Sequence, residues 1–217
     1  MTERFGGAWL VTEYVHEPDG RLAGIIRQRR ELETLAGGRA RLTQTCEPEG
    51  LDGHPMQAFA GTWVFDLTID GAVRTYLGPD VVGYGVEWSA GVMTGQGIWP
   101  RFGHTFESFA VLVGPERQLT GGFFSRVGRS VADIVGVAVP DRGQWPVLEV
   151  TDPPPDLASE GPGLQRSVGP LAIAEHWPSP TERVRRLGIV DSVGGATVVV
   201  TDSQDRERRR VEVSIQT

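Results

Sequence analysis

Apolar and polar residues alternate with a period of two along most of this chain. The pattern is clear in AWLVTEYVH (8–16), ARLTQTCEP (40–48), VRTYL (73–77) and FESFAVLV (106–113), and VADIVGVAV (131–139) has the same period-two character with fewer polar positions. It continues in MQAFAGTWVFDLTI (56–69), VVGYGVEWS (81–89) and QLTGGFFSRV (118–127). Alternation of this kind places one set of side chains on each face of a strand. Between the runs lie turn signals: EPDGR (17–21), LAGGR (35–39), TIDGA (68–72), GPER (114–117) and RVGR (126–129). Roughly nine or ten short strands joined by tight turns predict an antiparallel meander, and closure into a barrel would remove its exposed edges. One segment, IRQRRELETLAGG, also fits a helix with a glycine cap; a long hairpin with LAGGR as its turn fits it better.

The composition changes after Val139. PDRGQWPVLEVTDPPPDLASEGPGLQ (140–165) carries repeated prolines, including Pro153, Pro154 and Pro155, which favour an extended linker. Beyond it, residues 183–217 read as three strands with turns near Gly194 and Asp205. The expected organisation is a barrel over 1–140, a Pro-rich linker over 141–163, and a small C-terminal β-module or added strands over 164–217. The run DRERRR (205–210) reads as a solvated hairpin tip.

With 39% hydrophobic and 23% charged residues in 217, the chain has the composition of a globular protein large enough to bury a core. No apolar run approaches the roughly 20 residues of a membrane helix, and the opening MTERFGGAWLV lacks the basic and apolar regions of a signal peptide. A cytoplasmic location without membrane association is expected. All 21 basic residues are arginine, and the chain contains neither lysine nor asparagine. Schiff-base lysine chemistry, P-loop phosphate binding and N-glycosylation are thereby excluded. The net charge of −7 argues against nucleic acid as a partner.

Gly7-Ala8-Trp9 opens the first strand, and a meander of matching strand count follows it. In these respects residues 5–140 resemble the calycin superfamily of lipocalin-like barrels. The resemblance implies an internal pocket and a tryptophan plugging one barrel end, with Arg126 or Arg129 from a late strand as its partner. A second Gly-x-Trp occurs at Gly61-Thr62-Trp63. The expected fold class is all-β, an antiparallel meander closed into a lipocalin-like (calycin) barrel with a small C-terminal β-module.

A barrel of eight to ten strands is just wide enough for one small ligand. In the fourth run, parity gathers Phe59, Trp63, Phe65, Leu67 and Ile69 on an apolar face and sends Asp66 outward. Glycine recurs at 78, 83, 85, 91, 95, 97 and 103. Glycine this dense marks bulges or close approach of another backbone or a ligand, or kinks that curve the barrel. With Tyr84, Trp88, Trp99 and Arg101 interleaved, this region is the candidate pocket mouth. In GIWPRFGHTFESF (97–109), parity groups His104 with Phe106 and Ser108, opposite Glu107. His104 is the candidate general base, and Arg101 the holder of a carboxylate or enolate oxygen. The remaining candidate ligand contacts are His54, Trp63, Tyr84, Trp88, Trp99 and Phe106.

The four histidines are widely separated and form no zinc signature, and no dinucleotide fingerprint or nucleophile elbow is present, so no metal and no cofactor are expected. Cys46 reads as a small buried hydrophobe. The expected partner is a small, largely apolar molecule, aromatic or acidic in character, undergoing cofactor-free hydratase, isomerase or lyase chemistry. The alternatives are a non-catalytic carrier or sensor, and a structural protein with a filled barrel. Homo-oligomer formation is compatible with either.

Overall fold

The structure is a computed structural model. It describes residues 5–19, 21–89, 91–127 and 129–148. Beyond these it describes the backbone of strands within 163–216; the side chains of Trp88 and Ser89 are outside the described set. Pro153–Pro155 and most of the 205–210 run lie outside the described residues.

The alternating runs fold into ten strands: β1 (Gly7–His16), β2 (Leu22–Leu35), β3 (Arg39–Glu49), β4 (Gly61–Asp70), β5 (Val73–Leu77), β6 (Val82–Ser89), β7 (Val92–Trp99), β8 (His104–Gly114), β9 (Arg117–Arg126) and β10 (Arg129–Pro140). Each pairs with its sequence neighbour, and β1 pairs with both β2 and β10, so the meander closes into an antiparallel barrel without a free edge. The segment that fits either a helix or a hairpin is the β2–β3 hairpin, with Leu35 opposite Arg39.

The chain divides into two compact units after Val147. In the second, β11 (Gly163–Val168), β12 (Leu171–Ser179), β13 (Glu182–Asp191), β14 (Gly194–Ser203) and β15 (Arg210–Gln216) form their own antiparallel sheet in sequence order. The last three correspond to the strands expected after residue 183, and β11 and β12 precede them. Among the described residues no helix is long and apolar enough to cross a membrane.

The run at 56–69 is not one strand. Pro55–Phe59 form a 3-10 helix that opens on Pro55, which has no N–H to leave unpaired, while the His54 Nδ1 accepts from the Met56 N–H at 3.1 Å. Strand β4 starts only at Gly61, so Phe59 belongs to this helix and enters the barrel from its end.

Pairing fixes which parity faces inward. Trp9, Val11, Glu13 and Val15 of β1 point into the barrel, as do Trp63, Phe65 and Leu67 of β4. Asp66 faces outward and pairs with Arg41 at 3.0 Å. On β1, β8, β9 and β10 the opposite face is buried too, through Leu10, Val111, Leu119, Val135 and Val137. Burial on both faces explains why β10 reads as a nearly continuous apolar run.

Candidate functional site

Because β1 and β4 run in opposite directions, the two Gly-x-Trp segments lie at opposite ends of the barrel. Both glycines take positive φ, 81° at Gly7 and 112° at Gly61, a region that favours glycine. Each tryptophan turns inward and donates its indole N–H to a carbonyl just upstream: Trp9 to Gly6 and Trp63 to Phe59, both at 2.9 Å.

The Trp63 end is filled. The 3-10 helix inserts Met56 and Phe59, and Phe59 meets Trp99 edge-on at 4.8 Å between centroids and Phe124 at 5.5 Å. Trp63 packs at 5.6 Å against both Trp99 and Phe102. His104 lies among these rings, 6.2 Å from Phe59 and from Phe102. It is 3% exposed, and its Nδ1 is buried without a hydrogen-bond partner. Burial, with Arg126 and His54 nearby, holds its pKa below the ordinary imidazole value.

Above this plug the interior opens into a cavity of about 200 Å³. Its walls are mostly apolar, with Val11, Ile26, Leu42, Phe65, Trp99 and Phe106 among them. A polar cluster crosses the apolar wall. Glu13 accepts from Arg30 Nη2 at 2.7 Å and from Gln28 Nε2, while Arg30 Nε donates to Gln28 Oε1 at 2.9 Å. The three side chains therefore close a ring of hydrogen bonds. Gly136 makes room for it: a Cβ there would lie 2.8 Å from Glu13 Cγ and 2.6 Å from the Thr12 carbonyl. Gln44 and Cys46 continue the wall on β3, linked at 3.4 Å. Burial pushes the Cys46 thiol up to about 11, so it stays protonated and inert.

On β5, Arg74 and Tyr76 also line the cavity. Arg74 is 5% exposed, with Phe5 stacked 5.6 Å from its guanidinium carbon. Its Nη2 is buried without a hydrogen-bond partner. Burial pushes the Tyr76 phenol up, while Arg74 and Arg30 act in the opposite sense, so both cations lie within electrostatic range of it.

Of the candidate ligand contacts, Trp99 and Phe106 border the cavity; Trp63 faces inward but sits in the plug. Tyr84 is on the outer face of β6, 43% exposed, where its hydroxyl accepts from Gln96. His54 is the cap of the 3-10 helix, 3.8 Å from a Glu17 carboxylate oxygen. Arg101 is exposed on the turn between β7 and β8, over the Trp63 ring at 5.6 Å. Neither Arg101 nor His104 is among the residues lining the cavity. Among the described residues no three His, Cys, Asp or Glu side chains converge as metal ligands would.

The glycine-rich strands shape the cavity wall. Gly83 and Gly97 face each other across β6 and β7, and the space over Gly97 is taken by the Phe106 ring, 2.9 Å from where a Cβ would stand. Gly85 and Gly95, the next pair, are left as cavity wall. The arginine expected beside Trp9 also differs. Arg126 and Arg129 lie at the Trp63 end, because Trp9 pairs with Pro140 and Arg129 is eleven residues away along β10. At roughly 3.3 Å per residue that is about 35 Å. The arginine paired across from Trp9 is Arg30 on β2.

The residues that sequence reasoning missed are Glu13, Gln28, Arg30 and Arg74. Their signal was a polar side chain in the inward parity of otherwise apolar strands. On β5 the apolar parity, Val73 and Leu77, is the outward one, 39% and 64% exposed.

No family model matches the chain, and no curated protein matches it. Among solved structures it is similar to an S-type phycobiliprotein lyase from Guillardia theta, with 12% identity, TM-score 0.49, and 65% of this chain and 91% of that chain covered. It is also similar to a redesigned β-barrel bound to DFHBI, with 11% identity, TM-score 0.37, and 64% and 96% covered.

Proposed function

We propose that the barrel binds a small, largely apolar molecule in the cavity between its two tryptophan-marked ends. The observation that carries this reading is an unfilled interior of about 200 Å³ with apolar walls and a few converging polar groups, the arrangement of a small-molecule site. A cavity of ~150 Å³ already accepts benzene, so the space suits a substituted single ring or a short chain. The Glu13–Gln28–Arg30 ring supplies orientation, since its hydrogen bonds hold those side chains in place before a ligand arrives. Binding without turnover is the reading favoured here. His104 and Arg101, the groups expected to carry acid–base chemistry, do not border the space, and His104 is packed between rings.

The test is a titration of the full chain with neutral single-ring compounds such as benzyl alcohol and 3-phenylpropionamide, followed by tryptophan emission. A saturable change is expected in the wild type. It should be lost in Ala110→Phe, which fills the cavity from β8, while the circular dichroism stays that of the parent. A wild type with no saturable response to any compound, or a variant that responds equally, would sink the proposal. Compounds recovered unaltered after incubation are expected as well.

A further inference from the structure

Among the described residues, the ionisable groups with full charge along the cavity wall are one carboxylate, Glu13, and two guanidiniums, Arg30 and Arg74. Glu13 and Arg30 neutralise each other at 2.7 Å. Arg74 is left over. An arginine does not shed its proton to escape burial, and a buried charge without a partner is among the more expensive features a fold can carry. Phe5 offsets part of the cost by stacking. Glu87, also buried on β6, is two residues beyond the cross-strand partner of Arg74, and the two make no ion pair among the described residues. Glu87 shares the inward parity of Gly85 and Met93, so what the cavity wall leaves over is the unpaired Arg74 Nη2 rather than a net charge of the whole interior.

Resting on the cavity-binding reading above, we infer that the ligand carries a single carboxylate and that Arg74 receives it. The buried Nη2 is the donor awaiting an acceptor. Tyr76, two residues along β5 on the same wall, offers a hydroxyl to the same group, and Arg30 adds to the field without giving up Glu13. The apolar remainder of the ligand then lies against Phe65, Trp99 and Phe106. Recognition of this kind separates an acid from its neutral isostere, because the amide matches the shape and leaves the arginine uncompensated.

The probe pair is 3-phenylpropionate and 3-phenylpropionamide, titrated into the full chain at pH 7 and low salt by calorimetry. The wild type is expected to prefer the acid by roughly ten- to hundredfold, the range of one charge-assisted hydrogen bond in a dry site. In Arg74→Met the preference is expected to vanish through loss of acid affinity, with amide affinity retained. That variant also removes a buried uncompensated charge, so its melting temperature is expected to equal or exceed the parent's. Arg74→Gln repeats the measurement with a polar side chain, so the outcome does not depend on one variant folding. Equal affinities for acid and amide in the wild type would overturn the carboxylate while leaving the cavity reading intact. A preference that survives in both variants would overturn Arg74 as the anchor. Saturable binding of neither compound would overturn both inferences together.

Discussion

The two ends of the barrel begin alike and finish differently. Each starts with a Gly-x-Trp whose indole donates to a carbonyl just upstream. At the Trp63 end, the 3-10 helix with its Phe59 and four more rings, Trp99, Phe102, Phe106 and Phe124, complete an aromatic plug. Towards the Trp9 end, the same inward parity delivers Glu13, Gln28, Arg30 and Arg74, and a cavity remains. The difference teaches that the motif marks where a strand enters the barrel. What lies beyond is decided by the side chains that neighbouring strands bring to the same level.

If the plug carries the stability and the polar half carries recognition, removing a plug residue should produce the largest loss. Trp63→Ala is expected to cost about 3–5 kcal/mol in urea denaturation while leaving the binding preferences of any folded fraction unchanged. A cost below about 1 kcal/mol would show the plug to be dispensable and erase the contrast. Next in size is the polar ring. Glu13→Gln leaves Arg30 without its counter-charge and should cost about 2 kcal/mol; this is less than for a fully buried pair because Arg30 keeps 27% of its side chain accessible. Adding Arg30→Gln should cost less than the two single changes predict, with a coupling of at least ~1 kcal/mol. Strict additivity would mean that the ring is not a unit.

A smaller effect tests the plug by pH. The folded pKa of His104 lies below its ordinary 6.5, first because of burial, so folding favours the neutral imidazole. Its contribution to stability is then complete above pH 6.5 and is lost as the pH falls through the folded value. His16 and His54 are lowered too, each chiefly by burial, and act in the same direction. His104→Leu should therefore flatten, without abolishing, the acid-side fall in stability. Identical pH profiles for variant and parent would place His104 outside this balance. Least visible in stability near neutrality is Cys46, on the wall between the two regions. With its pKa at about 11 rather than 9.0, its alkylation by iodoacetamide at pH 8 should run roughly a hundredfold slower than in the urea-unfolded chain. The same shift makes stability decline as pH rises from about 9 towards 11. Equal alkylation rates would mean that the wall opens freely to solvent.

Much of the strand order was legible in the sequence because most connections are short turns with their own chemistry, the 3-10 segment between β3 and β4 being the exception, and alternation set the two faces of β4 and β8 as observed. Asp66 outward, and His104 grouped with Phe106 opposite Glu107, both followed from parity alone. The site was harder to read. Arg101 looked like an anion holder beside His104, but it precedes β8 in a turn and rests on the outside of the plug. Arg74 looked unremarkable in a five-residue strand, and only its pairing with Gly85 and Ile69 turns it inward.

The sequence by itself determined an all-β meander, its turns, and which residues share a face, because a period of two is a local property of extended backbone. Whether a given face points into the barrel, how far along the axis a residue sits, and which side chains meet there were decided only by closure. Register between strands distant in sequence brings Glu13 to Arg30, sets Phe106 over Gly97, and leaves Arg74 within the wall unpaired. Local patterning carries no information about that register, which arises when ten strands must satisfy their hydrogen bonds in one ring.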